Sequence, residues 1–150
     1  MFRIPVLNSE IRKRNGNPKI NVFGWVRIDE HGRKKFHGGI DLVPKDKDPF
    51  NEPVYSTYEG KVIYARESSN AFGKFVIVKH DIDGKIYYSY YCHLNIIAVK
   101  KGDILKTTHY LGNIGYSGNA SKGDEHLHFE IRDENWARLD PQKFITDEIT

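Results

Sequence analysis

His126 and His128 stand one residue apart in the run His126-Leu127-His128-Phe129-Glu130, far downstream of a second run, His37-Gly38-Gly39-Ile40-Asp41. In a β-strand, side chains at i and i+2 share a face, so these two imidazoles sit a pleat apart. Leu127 and Phe129 then turn into a core and hold the strand rigid. Two imidazoles with a remote His and Asp are the residue types that bind a divalent transition metal. A metal site built on a sheet points to hydrolytic chemistry.

The surrounding sequence supplies elements able to position these groups. From Val54 onward the chain reads as a succession of short strands: Lys61 to Ala65, then Lys74 to His80, then Lys85 to Leu94 after the hairpin signal Asp83-Gly84, and finally Leu127 to Arg132. In the second of these, Phe75, Ile77 and Lys79 fall on one side and Val76, Val78 and His80 on the other. In the third, alternation puts Tyr87, Ser89, Tyr91 and His93 on one face and Cys92 on the opposite one. The Gly-containing segment between His37 and Asp41 offers a bend at which both side chains converge. Residues 1 to 35 read as loop-rich. The expected fold is mainly β: a single domain of short antiparallel strands forming a sheet with a substrate groove, and little helix.

Composition excludes several classes of function. The 150 residues fit one domain, and 39% hydrophobic residues with nine Tyr and eight Phe can fill its core. A formal charge of +3, from 23 basic and 20 acidic residues, lacks the concentrated basic stripe of a nucleic-acid binder. Cys92 is the only cysteine, which leaves no disulfide framework and no thiolate cluster, so His and carboxylate must hold any zinc. No aliphatic run is long enough to span a bilayer, and stable membrane insertion is not expected. The first residues lack the apolar core of a secretory signal, so a substrate outside the cytoplasm requires another delivery route.

Phe36-His37-Gly38-Gly39-Ile40-Asp41, Cys92-His93-Leu94 and His126-Leu127-His128-Phe129-Glu130 resemble the three signature motifs of the lysostaphin/LytM-type zinc endopeptidases. Connecting text also fits: Glu59-Gly60-Lys61-Val62, Lys101-Gly102-Asp103, Leu111-Gly112-Asn113-Ile114-Gly115 and Asp140-Pro141. Phe23-Gly24-Trp25 with Arg27 resembles that family's approach to the domain. The resemblance spans residues 22–145, which sets an N-terminal loop-rich extension at 1–21 and a C-terminal tail at 146–150. Segments Val54 to Val62 and Val99 to Ile114 also have the rhythm of a lipoyl-hammerhead-like duplicated hybrid motif.

The resemblance implies that His37, Asp41 and His128 ligate Zn2+ and leave a fourth position for water, while His93 and His126 act beside the metal as catalytic residues. It implies hydrolysis of peptidoglycan stem-peptide cross-links or cross-bridges by attack of metal-bound water, by a monomer acting in the periplasm or cell wall. Without a signal peptide, delivery would fall to phage lysis, a virion or a secretion machine. Glu130, on the face of His126 and His128, reads equally as an orienter of a ligand imidazole and as a salt-bridge partner. His80 is expected to be structural and His109 superficial. His31 or Arg27 could stand where relatives place a Tyr that stabilises the intermediate, although His31 reads better as solvent-exposed. The sequence departs from the family at Gly123-Asp124-Glu125-His126, where many members carry Gly-Pro or Ala-Pro, so two extra carboxylates adjoin the site. The rival readings are a catalytically silent domain of this fold, acting as activator or scaffold in an envelope complex, and a carrier module, for which no exposed hairpin Lys is marked.

Overall fold

Asp83 and Gly84 both adopt positive φ, 54° and 84°, the conformation of a two-residue hairpin turn whose twist matches its flanking strands. They join Lys74–Ile82 to Lys85–Cys92, the longest hairpin of the fold. The computed structural model describes residues 2–146. Its strands are β1 (Ser9–Ile11), β2 (Gly24–Ile28), β3 (Lys34–His37), β4 (Ile40–Pro44), β5 (Pro53–Tyr55), β6 (Gly60–Glu67) and β7 (Lys74–Ile82). They continue as β8 (Lys85–Cys92), β9 (Leu94–Ile97), β10 (Ile104–Leu105), β11 (Tyr110–Ile114), β12 (Leu127–Asp133) and β13 (Arg138–Leu139). Helix is confined, among the described residues, to two 3-10 turns, Lys19–Asn21 and Pro141–Lys143. None is long and apolar enough to cross a membrane.

The main sheet runs β1-β4-β12-β8-β7-β6-β10, with β13 also on β12; β5-β11-β9 and β2-β3 form two smaller sheets. All these strand pairs are antiparallel. Alternation sorts the two faces of the main sheet as the sequence predicts. Leu127, Phe129 and Ile131 of β12, Tyr87 and Tyr91 of β8, and Val76 and Val78 of β7 enter the principal core. Truncating a fully buried Leu127 or Phe129 to Ala would cost about 2–5 kcal/mol, and would loosen the strand that carries His128. The opposite face presents His128, Glu130 and Arg132 opposite Cys92, Tyr90 and Tyr88.

The stretch expected to be loop-rich does more than lead into the domain. Its β1 pairs with β4, and Phe2, Ile4, Val6 and Ile11 are buried in the principal core. Three-residue strands such as β1 carry too little periodicity to be read locally; pairing with β4 defines this one. Of the expected C-terminal tail, 146–150, only Thr146 lies within the described residues.

Candidate metal centre and flanking histidines

Asp41 lies directly opposite His128 in the β4–β12 pair, so strand register alone brings a carboxylate and an imidazole together on one face. Close approach of the two strands requires Gly39, since a Cβ there would run into the Phe129 carbonyl. His37 ends β3 just before this glycine pair, and its ring returns to the same point. His37 Nε2, Asp41 Oδ1 and His128 Nδ1 converge, with separations of 3.2 Å (His37–Asp41), 3.2 Å (His37–His128) and 2.9 Å (Asp41–His128). All three residues are buried and form a cluster able to hold a metal ion. Tetrahedral bonds of about 2.0–2.2 Å put donor atoms about 3.3–3.6 Å apart, so a slight spreading of these three admits the ion.

The far nitrogen of each imidazole is anchored. His37 Nδ1–H donates to the Val22 carbonyl at 2.8 Å, which leaves Nε2 with its lone pair toward the cluster. His128 Nε2–H donates to Glu130 Oε2 at 2.8 Å. Glu130 Oε1 in turn accepts two bonds from Arg132, at 2.9 and 2.7 Å. Both readings of Glu130 are thus realised in one side chain, an orienter of His128 that is itself held by a salt bridge. Burial pushes the His128 pKa down, but Asp41 and Glu130 outweigh it and raise it to about 9. Burial likewise opposes ionisation of Asp41, yet the bond from the His128 imidazolium holds its pKa well below the usual range. In the metal-free protein, His128 is therefore an imidazolium donating to two carboxylates.

The outer oxygen of Asp41 faces two arginines. Arg27 Nη2 donates to Oδ2 at 2.8 Å, and Arg12 Nη2 lies 3.6 Å from the same atom. Asn21, fully buried, accepts on Oδ1 from both guanidiniums, at 3.2 Å from Arg12 and 3.1 Å from Arg27. Arg27 is marked in the sequence by the family resemblance of Phe23-Gly24-Trp25. Arg12 and Asn21 are not, because neither belongs to a motif and only the fold brings them here.

His126 and His93 adjoin this cluster. His126 Nδ1–H donates to the Asp124 carbonyl at 2.8 Å, and Nε2 lies 3.7 Å from Asp41 Oδ1. The His93 ring stands 5.0 Å from that of His126 and 6.0 Å from that of His128, its Nδ1–H donating to the Ser117 carbonyl at 2.8 Å. Strict alternation had put His93 on the face of Tyr87, Ser89 and Tyr91, which is the core face. Instead β8 stops at Cys92, and His93 takes a φ of 66°. This left-handed residue turns its side chain back toward the cluster, a costly conformation of the kind kept at functional sites. Burial, with His126 and His128 nearby, pulls the His93 pKa down to about 3. Burial also lowers that of His126, against the pull of Asp41. Both rings are neutral at pH 7, with Nε2 as the proton-accepting nitrogen.

The remaining candidates separate cleanly. His80 is fully buried; its ring bonds the Glu59 carbonyl at 2.8 Å and Ser89 Oγ at 2.7 Å and packs on Phe2, a structural role. His31 and His109 are exposed, and His31 reaches only Glu30. Cys92 is fully buried, and burial keeps its thiol protonated by raising its pKa well above normal. Although Cys92 adjoins His93, a buried, protonated thiol cannot serve as a nucleophile. Of the four tyrosines in β8, Tyr87 and Tyr91 belong to the principal core, whereas Tyr88 and Tyr90 share the cluster's face with Phe72. The Phe72 ring stacks on His128 at 5.8 Å, and Trp136 stacks on Tyr88 at 3.7 Å.

Residues 35–141 match the model of peptidase family M23. The peptidoglycan DD-endopeptidase ShyB of Vibrio cholerae serotype O1 is 36% identical over 100 residues, 67% of this chain and 21% of ShyB. The murein hydrolase activator NlpD of Escherichia coli K12 is 31% identical over 113 residues, 75% of this chain and 25% of NlpD. This chain thus spans only a quarter or less of those two relatives. Among solved structures, a zinc-containing peptidase from Vibrio cholerae superposes with a TM-score of 0.73 at 28% identity, over 99% of this chain and 40% of that one. The catalytic domain of lysostaphin from Staphylococcus simulans gives 0.69 at 25% identity, over 84% and 90%. Sequence match and shared fold agree: the chain belongs to peptidase family M23.

Proposed function

We propose that this protein is a zinc-dependent endopeptidase that hydrolyses peptide cross-links or bridges of bacterial peptidoglycan. One observation carries the reading: a buried three-donor cluster able to hold a metal and two further histidines occur side by side, the residue set that zinc hydrolysis calls for. His37, Asp41 and His128 would hold the ion. Bound there, zinc would supply Lewis-acid polarisation of an amide carbonyl and lower the pKa of a water to about 7. His126, with Nδ1–H tied to the Asp124 carbonyl, offers Nε2 as a proton acceptor beside Asp41. His93, tied to the Ser117 carbonyl, offers Nε2 in the same way and, once protonated, can donate to a developing oxyanion or to the leaving amine. Neither imidazole needs to lose a proton first, because both are held neutral. Phe72 and Trp136, the latter stacked on Tyr88, are the aromatic side chains on the cluster's side of the sheet that a bound peptide would meet. Such a substrate puts the site of action in the periplasm or cell wall.

NlpD, a murein hydrolase activator by name, supports a second reading, a silent domain that activates or scaffolds. Retention of all five site residues weighs against it. Metal analysis of the purified protein, followed by mass spectrometry of muropeptides after digestion with and without chelator, tests the choice. Bound zinc with chelator-sensitive release of cross-linked fragments is expected. Intact muropeptides from the zinc-loaded protein would leave the silent reading.

A further inference from the structure

We propose that Arg12 is a positioning residue serving both halves of the site: its guanidinium holds the outer oxygen of Asp41 and, through Asp124, fixes the loop that aims His126. The inference rests on the proposed function for what the site does, and on geometry for how Arg12 acts.

Arg12 lies outside the residues that match the family model, immediately after β1. Its main chain is pinned at both ends. The Arg12 N–H donates to the Asp41 carbonyl at 2.8 Å, and the Arg12 carbonyl accepts from Asn21 Nδ2 at 2.7 Å. The side chain, only 13% exposed, spans two carboxylates: Nη2 is 3.6 Å from Asp41 Oδ2, and Nη1 donates to Asp124 Oδ1. Asp124 then acts through its backbone, its carbonyl accepting His126 Nδ1–H. A continuous path therefore runs from the metal-facing carboxylate through one guanidinium to the ring of His126. With Oδ2 hydrogen-bonded by Arg27 and ion-paired with Arg12, Oδ1 of Asp41 is the oxygen turned toward His37 and His128.

An incidental surface ion pair does not explain this arrangement. Arg12 Nε is buried without a hydrogen-bond partner, and burying a charged group with an unmet donor is costly. A shorter or neutral side chain would relieve that cost but could not bridge two carboxylates with one planar fork. Asp124 also finds its use here. The sequence departure that introduces it beside His126 supplies the other end of the bridge, so Arg12 and Asp124 act as a pair.

The test uses the full chain loaded with zinc, a chromophoric chelator competing for the metal, and a soluble cross-linked muropeptide dimer as substrate. Arg12→Ala is expected to lower zinc affinity and kcat each by about 10–100-fold, the range for groups supporting metal ligands. Asp124→Asn is expected to lower kcat about tenfold or more with KM, zinc affinity and Tm unchanged, a split that general loosening of the fold would not produce. The double variant should lose no more kcat than Arg12→Ala alone, since both act along one path. Wild-type zinc affinity in Arg12→Ala, wild-type kcat in Asp124→Asn, or additive losses in the double variant would each overturn the proposal. Should Arg12→Ala fail to fold, Asp124→Asn, altered at a 48% exposed side chain, carries the decision. A wild-type protein that binds zinc but leaves the dimer intact would remove the functional reading, and the affinity of Arg12→Ala would still decide the role of Arg12.

Discussion

Asp41 and His128 face one another across the β4–β12 pair with Oδ1 2.9 Å from Nδ1, and in the absence of metal a proton occupies that gap. Glu130 on the opposite side of the ring makes the proton more firmly held, at a pKa of about 9. Zinc bound as proposed would compete with this proton for Nδ1.

Zinc binding should therefore release close to one proton at pH 7. Affinity should rise about tenfold per pH unit as pH approaches 9 and level off above it, because below that value His128 must be deprotonated before it can ligate. Calorimetry in buffers of differing ionisation enthalpy reads the released proton directly. A binding enthalpy independent of buffer would show that zinc displaces no proton from His128.

His93→Ala and His126→Ala should each retain zinc and lose turnover by about 10²–10⁴-fold, the usual contribution of a positioned acid or base. Metal content measured alongside kcat separates this role from ligation. If either variant emerges from purification without zinc, its assignment as an unligated partner is wrong.

Glu130→Gln keeps an oxygen near His128 Nε2 but removes the charge that His128 and Arg132 share. Zinc affinity should fall by about 10–100-fold, while the His128 pKa in the metal-free protein moves down from about 9. Chelator competition measures the first and NMR titration of the ring the second. Unchanged affinity would reduce Glu130 to a salt-bridge partner of Arg132.

His80 predicts an acid limb of stability. Burial depresses its pKa from 6.5 to about 4, so between those values the unfolded chain takes up a proton that the native state refuses. Stability falls as pH drops through that window, by about 3 kcal/mol from this residue. His128, raised to about 9, is protonated in both states there and adds no slope. Comparing urea unfolding of wild type and His80→Gln from pH 7 to pH 4 isolates the effect. Parallel pH dependences in the two proteins would contradict it.

Much of the site is legible from local rules. The period of two along His126-Leu127-His128-Phe129-Glu130 places three polar side chains on one face and two apolar ones in the core, whatever the fold. The glycines after His37 mark a bend, and Asp83-Gly84 marks a hairpin, because few residue types tolerate the positive φ that such a turn requires.

Elsewhere local rules fail for a physical reason. Alternation assigns His93 to the core face, because nothing in Cys92-His93-Leu94 signals a left-handed residue; the site's packing imposes it. Arg12 and Asn21 lie in a stretch without periodicity, and they matter only once β1 pairs with β4. What the sequence alone determined is the set of residue types able to hold a metal and the strand that carries His128, with His126 just before it. Tertiary structure decided which oxygen of Asp41 turns toward His37 and His128, how His93 reaches the cluster, and that Arg12 joins Asp41 to Asp124. Those outcomes depend on contacts between segments far apart in the chain, and no local periodicity encodes them.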